Sequence, residues 1–138
     1  MTTQLNPYLN LLDDARQTMD FYQSVFGGEV TRSTFADSQL SEDPAERDKV
    51  MHSILESEGG LVLMEDDTPA GMEFTPGRNG SLSLSGDNEA ALGGFYERLA
   101  EGGTVTMPLD ASPSGDLFGM CTDRFGVGWL VNIAVAPS

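Results

Sequence analysis

The chain has 138 residues, enough for one compact domain with a real core or for two half-size modules sharing one. Its 22 acidic against 7 basic side chains give a formal net charge of −15, a field that repels nucleic-acid phosphate and anionic lipid, so neither is an expected partner. No apolar run approaches the roughly 20 residues that span a bilayer. The first residues, Met1 to Leu5, carry neither a basic nor an apolar targeting region, and the single Cys121 forms no intrachain disulfide, so a cytoplasmic protein is expected. The acidity reads first as a solvated surface that keeps the protein soluble, and second as adaptation to high salt, where screening relieves carboxylate repulsion.

In chain order, Leu5 to Leu11 alternates apolar and polar residues as a half-buried strand does. Asp13 or Asp14 then caps a helix to about Phe26, with Ala15, Met19, Tyr22 and Phe26 on its apolar face and Phe21 and Val25 widening it. Gly27-Gly28 ends the helix, and Glu29 to Phe35 alternates again. Residues 36–48 are polar and acidic and read as a loop. Lys49 to Ser57 is a strand, with Val50, His52 and Ile54 expected on one face and Met51, Ser53 and Leu55 on the other. A turn at Gly59-Gly60 leads to a short apolar strand, Leu61 to Met64, expected to be covered on both faces. Glu65 to Asn79 reads as a connector, with solvated loop carboxylates at Asp66 and Asp67.

The order then repeats. Gly80 to Ser85 is a strand, and Asp87 or Asn88 caps a helix to about Ala100 with Leu92, Phe95, Tyr96 and Leu99 inward. Gly93-Gly94 inside that helix costs roughly 1 kcal/mol per glycine relative to alanine, which close packing against a sheet would explain. Strands follow at Gly103 to Leu109, Asp116 to Thr122 and Val127 to Ala134, with a turn at Asp123-Arg124-Phe125-Gly126. The repeat is visible in the letters: Phe21-Tyr22 recurs 74 residues later as Phe95-Tyr96, and Gly27-Gly28-Glu29-Val30-Thr31 recurs as Gly102-Gly103-Thr104-Val105-Thr106. The chain is thus expected to be α+β, two βαβββ modules in one domain: residues 1–66, a connector over 67–79, and residues 80–138.

Two such modules in one small chain resemble the vicinal oxygen chelate superfamily of glyoxalases, bleomycin-resistance proteins and extradiol dioxygenases. The local motifs look more particularly like its PhnB-like branch: Asn6-Pro7-Tyr8-Leu9, Asp48-Lys49-Val50-Met51-His52, Met107-Pro108-Leu109, Gly115-Asp116 with Phe118-Gly119-Met120, and Thr122 to Val127 with Trp129 and Asn132. Where that branch often carries tryptophan, arginine and histidine, this chain has Ser114, Leu117 and Gly128. The resemblance implies curved mixed sheets that form a groove with helices outside, and a homodimer as the common assembly. It also implies metal ligands on the first and last strands of each module. Those positions fall here on Tyr8 or Asn10, Leu63 or Met64, Ser81, and Leu130, with Glu65 reachable only by a register slip. None is a good ligand for a hard divalent ion, and the chain has one histidine in all. No metal and no cofactor are therefore expected.

His52 is the natural general base, weighed against a structural role. Tyr8, Asn10, Met64, Phe118 and Trp129 are candidates to line the groove, with Asp116 and Asn132 as the polar groups that orient a ligand; for Tyr8 and Trp129 a plain core role weighs evenly against this. Cys121 reads as a buried inert thiol, and Arg124 as a surface or subunit-contact cation. Three functions compete. The first is a metal-independent protein that binds a planar or aromatic small molecule; the second is a lyase, isomerase or dioxygenase-type enzyme using the same groove; the third is a dimeric scaffold without catalysis.

Overall fold

The computed structural model describes residues 5–35, 49–57, 59–68 and 80–135. The chain divides into two units, Met1–Pro76 and Gly77–Ser138. In the first, β1 (Tyr8–Leu11), α1 (Ala15–Phe26), β2 (Glu29–Thr34), β3 (Val50–Glu56) and β4 (Val62–Asp67) follow one another; in the second, β5 (Leu82–Gly86), α2 (Glu89–Ala100), β6 (Thr104–Ala111), β7 (Leu117–Thr122) and β8 (Gly128–Ile133). The sheets have orders β1-β4-β3-β2 and β5-β8-β7-β6. In each, the first strand lies parallel to the last and the other neighbours are antiparallel. The fold is α+β, as expected, with the βαβββ order written twice and neither sheet closed into a barrel.

Each helix covers one face of its own sheet. Ala15, Thr18, Met19, Tyr22 and Val25 of α1 are buried, and so are Leu55 and Leu63 on the strands beneath; removing that much apolar surface from water is the main stabilising term. In the second unit Leu92, Tyr96 and Leu99 of α2 face inward, where the sheet contributes Leu84, Cys121, Val131 and Ile133 to the core. Phe26 and Phe95, expected inside, are only half-buried.

The double glycine that ends each helix has a packing cause. Gly28 and Gly103 lie against the backbone where β3 and β7 end: a Cβ on Gly28 would collide with the Glu56 carbonyl, and one on Gly103 with the Thr122 carbonyl. The same close approach recurs in both units, so the same pair of letters recurs in the sequence.

Several expectations are corrected. β4 continues to Asp67 and alternates, with Leu63, Glu65 and Asp67 on the helix side and Val62, Met64 and Asp66 on the other; it is neither all apolar nor covered on both faces. The three acids that read as connector are strand residues, Glu65 at 0% and Asp67 at 3% exposure. Val50 does not share a face with His52: a register shift opposite Ser33 and Thr34 leaves Met51 extra, and puts Val50 on the buried side with Ser53 and Leu55. Asp14 occupies the N-cap position of α1 without a side-chain bond; the helix is capped from β4 instead, because Asp67 Oδ1 accepts the Ala15 N–H. Gly93 and Gly94 have open space where a Cβ would stand, so packing among the described residues does not account for them. Residues 36–48 and 69–79 lie outside the described residues.

Candidate functional site

The sheet of the first unit keeps one face free of its helix, and the strand register gathers three titratable side chains there. Tyr8 on β1 is paired with Met64 on β4, and Asn10 with Asp66; Met64 is in turn opposite Ile54 on β3, two residues from His52. Tyr8 Oη donates to Asp66 Oδ2 at 3.0 Å. The Tyr8 and His52 rings have centroids 5.9 Å apart and planes inclined at 33°, within the range of offset aromatic pairs. The phenol remains 44% exposed, so this aromatic floor is open to a ligand.

Burial and neighbouring charge shift Tyr8 and Asp66 on this face. Burial, then the Asp66 charge and its hydrogen bond, push the Tyr8 phenol up to about 12, so at neutral pH it is a donor and not a base. Burial also raises the Asp66 carboxyl, against the lowering effects of the Tyr8 bond and His52. The face thus presents two rings and a carboxylate that accepts hydrogen bonds. Of the first-unit residues singled out in the sequence, His52, Tyr8, Asn10 and Met64 come together here. Asp66 was missed as a site residue because acidic letters read as loop; its parity with Val62 and Met64 was the available signal.

In the second unit the helix-free face carries Phe118 opposite Asn132. Asn132 Nδ2 donates to Asp116 Oδ2 at 3.3 Å, and Asp116 Oδ1 accepts the Val135 N–H at 3.4 Å. Asp116 and Asn132 are therefore each other's partners at the end of β8. Trp129 sits elsewhere: it pairs with Cys121 on the helix side, is 4% exposed, and its Nε1 donates to Asp123 Oδ2 at 2.9 Å. Asp123 also accepts the Phe125 and Val127 N–H groups, so Trp129 is part of a locked turn and core. Arg124 is not a bare surface cation either, since Nη2 and Nε donate to the Glu101 carbonyl at 2.9 and 3.3 Å, satisfying the C-terminus of α2.

The four positions where superfamily enzymes place metal ligands do not fit a hard divalent ion. In the first unit they hold the Tyr8 phenol, protonated at neutral pH, or the Asn10 amide, and the Leu63 alkyl chain or the Met64 thioether; in the second they hold the Ser81 hydroxyl and the Leu130 alkyl chain. Such ions take anionic oxygen or imidazole donors, three or four together. Glu65 is turned to the helix side and fully buried. Among the described residues, no three His, Cys, Asp or Glu side chains converge to hold a metal, and no helix is long and apolar enough to cross a membrane.

Comparison with known proteins agrees with this architecture. The sequence profile of the Glyoxalase/Bleomycin resistance protein/Dioxygenase superfamily matches residues 4–131. Protein YjdN of Escherichia coli is 25% identical over 142 residues, covering 94% of each chain. The crystal structure of protein PA1353 from Pseudomonas aeruginosa superposes with a TM-score of 0.80 at 34% identity, over 96% of this chain and 98% of that one. A PhnB protein from Bacillus cereus shares the fold, with a TM-score of 0.73 at 24% identity over 96% of this chain and all of its own. The chain belongs to the glyoxalase/bleomycin resistance protein/dioxygenase superfamily.

Proposed function

We propose that the protein binds a planar, aromatic small molecule without a metal ion, on the helix-free face of its first sheet. The observation that carries this reading is the Tyr8–His52–Asp66 cluster: one exposed and one half-buried ring beside a carboxyl group that accepts the phenol's hydrogen bond. A flat ligand stacks on the rings, and a donor or positive charge on its edge meets Asp66. The charge of −15 favours neutral or cationic ligands over anions. The donor set at the superfamily's ligand positions supports the metal-independent part.

The test is thermal-shift screening of planar aromatic compounds, neutral, cationic and anionic, in the presence of chelator. The proposal expects hits among the neutral and cationic compounds whose shifts vanish in Tyr8→Ala. Uniformly flat responses, or hits that need added divalent metal, contradict it.

A further inference from the structure

The second unit holds an open pocket of about 520 Å³ at the end of its sheet where β5 and β8 begin, lined mostly by exposed residues. Its chemistry is uniform. Among the described residues, Ser81, Thr104, Thr106 and Thr122 supply hydroxyls, Gly80, Gly126 and Gly128 supply the rest of the wall, and no charged or aromatic side chain lines it. The register explains the clustering: Thr104 is opposite Thr122 across β6 and β7, and Thr122 is opposite Gly128 across β7 and β8. Gly128 keeps the space open, because a Cβ there would stand 2.9 Å from Ser81 Oγ.

Each hydroxyl is one donor and two acceptor sites, and among the described residues none of the four is engaged by another side chain. A ligand that displaces water from them must return hydrogen bonds in both senses. A charged ligand finds no counter-charge in this wall, and an apolar one leaves the hydroxyls without partners. The volume is that of a small-molecule pocket. We propose that this cavity binds a neutral, polyhydroxylated ligand of mono- to disaccharide size. The proposal is independent of the planar-ligand reading of the first unit.

The test is amide NMR titration of the full chain with methyl β-glucoside and trehalose as neutral probes and glucose 6-phosphate and glucosamine as charged ones. The expected result is saturable shifts confined to residues 80–81, 104–106, 122 and 126–128 for at least one neutral probe, with the charged probes binding at least about tenfold more weakly. Thr106→Val with Thr122→Val keeps strand shape while removing two hydroxyls, and should weaken binding about tenfold; Gly128→Val should abolish it. Native-like amide spectra of both variants separate lost binding from lost folding. No saturable shift with either neutral probe, equal binding of glucose 6-phosphate, or unchanged binding in a folded Thr106→Val/Thr122→Val variant overturns the proposal.

Discussion

The Asp67 carboxylate caps a helix that begins 52 residues earlier: Oδ1 accepts the Ala15 N–H at 3.0 Å while Oδ2 accepts the Val50 N–H at 2.9 Å. One buried side chain thus ties the last strand of the first unit to the start of its helix and the start of β3. The second unit solves the same problem locally, with Asn88 Oδ1 accepting the Ala91 N–H at 3.0 Å. Replacing Asp67 with Ala leaves two interior N–H groups without partners and should cost about 3–5 kcal/mol, Asp67→Asn about 1–2 kcal/mol, and Asn88→Ala about 1 kcal/mol. Asp14→Ala, which removes no side-chain cap, should change stability by less than about 0.5 kcal/mol. Urea unfolding of the four variants checks the order.

The pH dependence has a definite sign. Burial raises both Asp66 and Asp67 above the ordinary carboxylate value of 3.8. Between 3.8 and the raised values, the folded state holds more protons than the unfolded chain, so these groups add stability as pH falls from neutral into that window. Below 3.8 both states are protonated and the gain stops growing. Protonating part of the −15 charge acts in the same direction. Melting temperature should therefore rise as pH is lowered from neutral toward 3.8, and rise less in Asp67→Asn. A steady fall over that interval in the unmodified protein contradicts the assignment.

Two classes of glycine should respond oppositely to alanine. Gly93→Ala and Gly94→Ala add a methyl to open space in a helix interior and should each stabilise by about 0.5–1 kcal/mol. Gly28→Ala and Gly103→Ala drive a Cβ into a neighbouring carbonyl and should destabilise by more than about 2 kcal/mol. Thermal unfolding of the four variants separates the two classes; a destabilised Gly93→Ala would mean that something beyond the described residues covers that face.

Tyr8→Phe removes the hydrogen bond that holds the Asp66 carboxyl down, so Asp66 should titrate higher in the variant. The phenol that ionises near 12 should also disappear from an alkaline absorbance titration. Carboxyl carbon NMR follows Asp66 directly, and an unchanged or lowered titration in Tyr8→Phe contradicts the coupling.

Much of the architecture is legible in the letters because its causes are local or duplicated. Gly28 and Gly103 repeat since each meets the same strand ending, and Met19, Tyr22, Leu92, Tyr96 and Leu99 mark the helix faces by period alone. The acids of β4 escaped because their reasons are distant: Asp67 answers backbone groups at residues 15 and 50, which no window of neighbouring letters contains. A bulge is equally silent, and plain alternation puts Val50 on the face of His52, where the structure does not. The letters around Trp129 suit a groove wall or a core equally; the bond from its indole to Asp123 decides for the core. Asp66 became a site residue only when the parallel pairing of β1 and β4 brought Tyr8 to it.

The chain's single histidine lies within the proposed site, so its ring proton signals report on that site without ambiguity. Titrating the protein with a planar aromatic compound that raises its melting temperature, in chelator, should move the His52 ring signals saturably, with the dissociation constant that calorimetry gives, and Tyr8→Ala should remove the movement. Binding by calorimetry that leaves the His52 signals still would contradict the account.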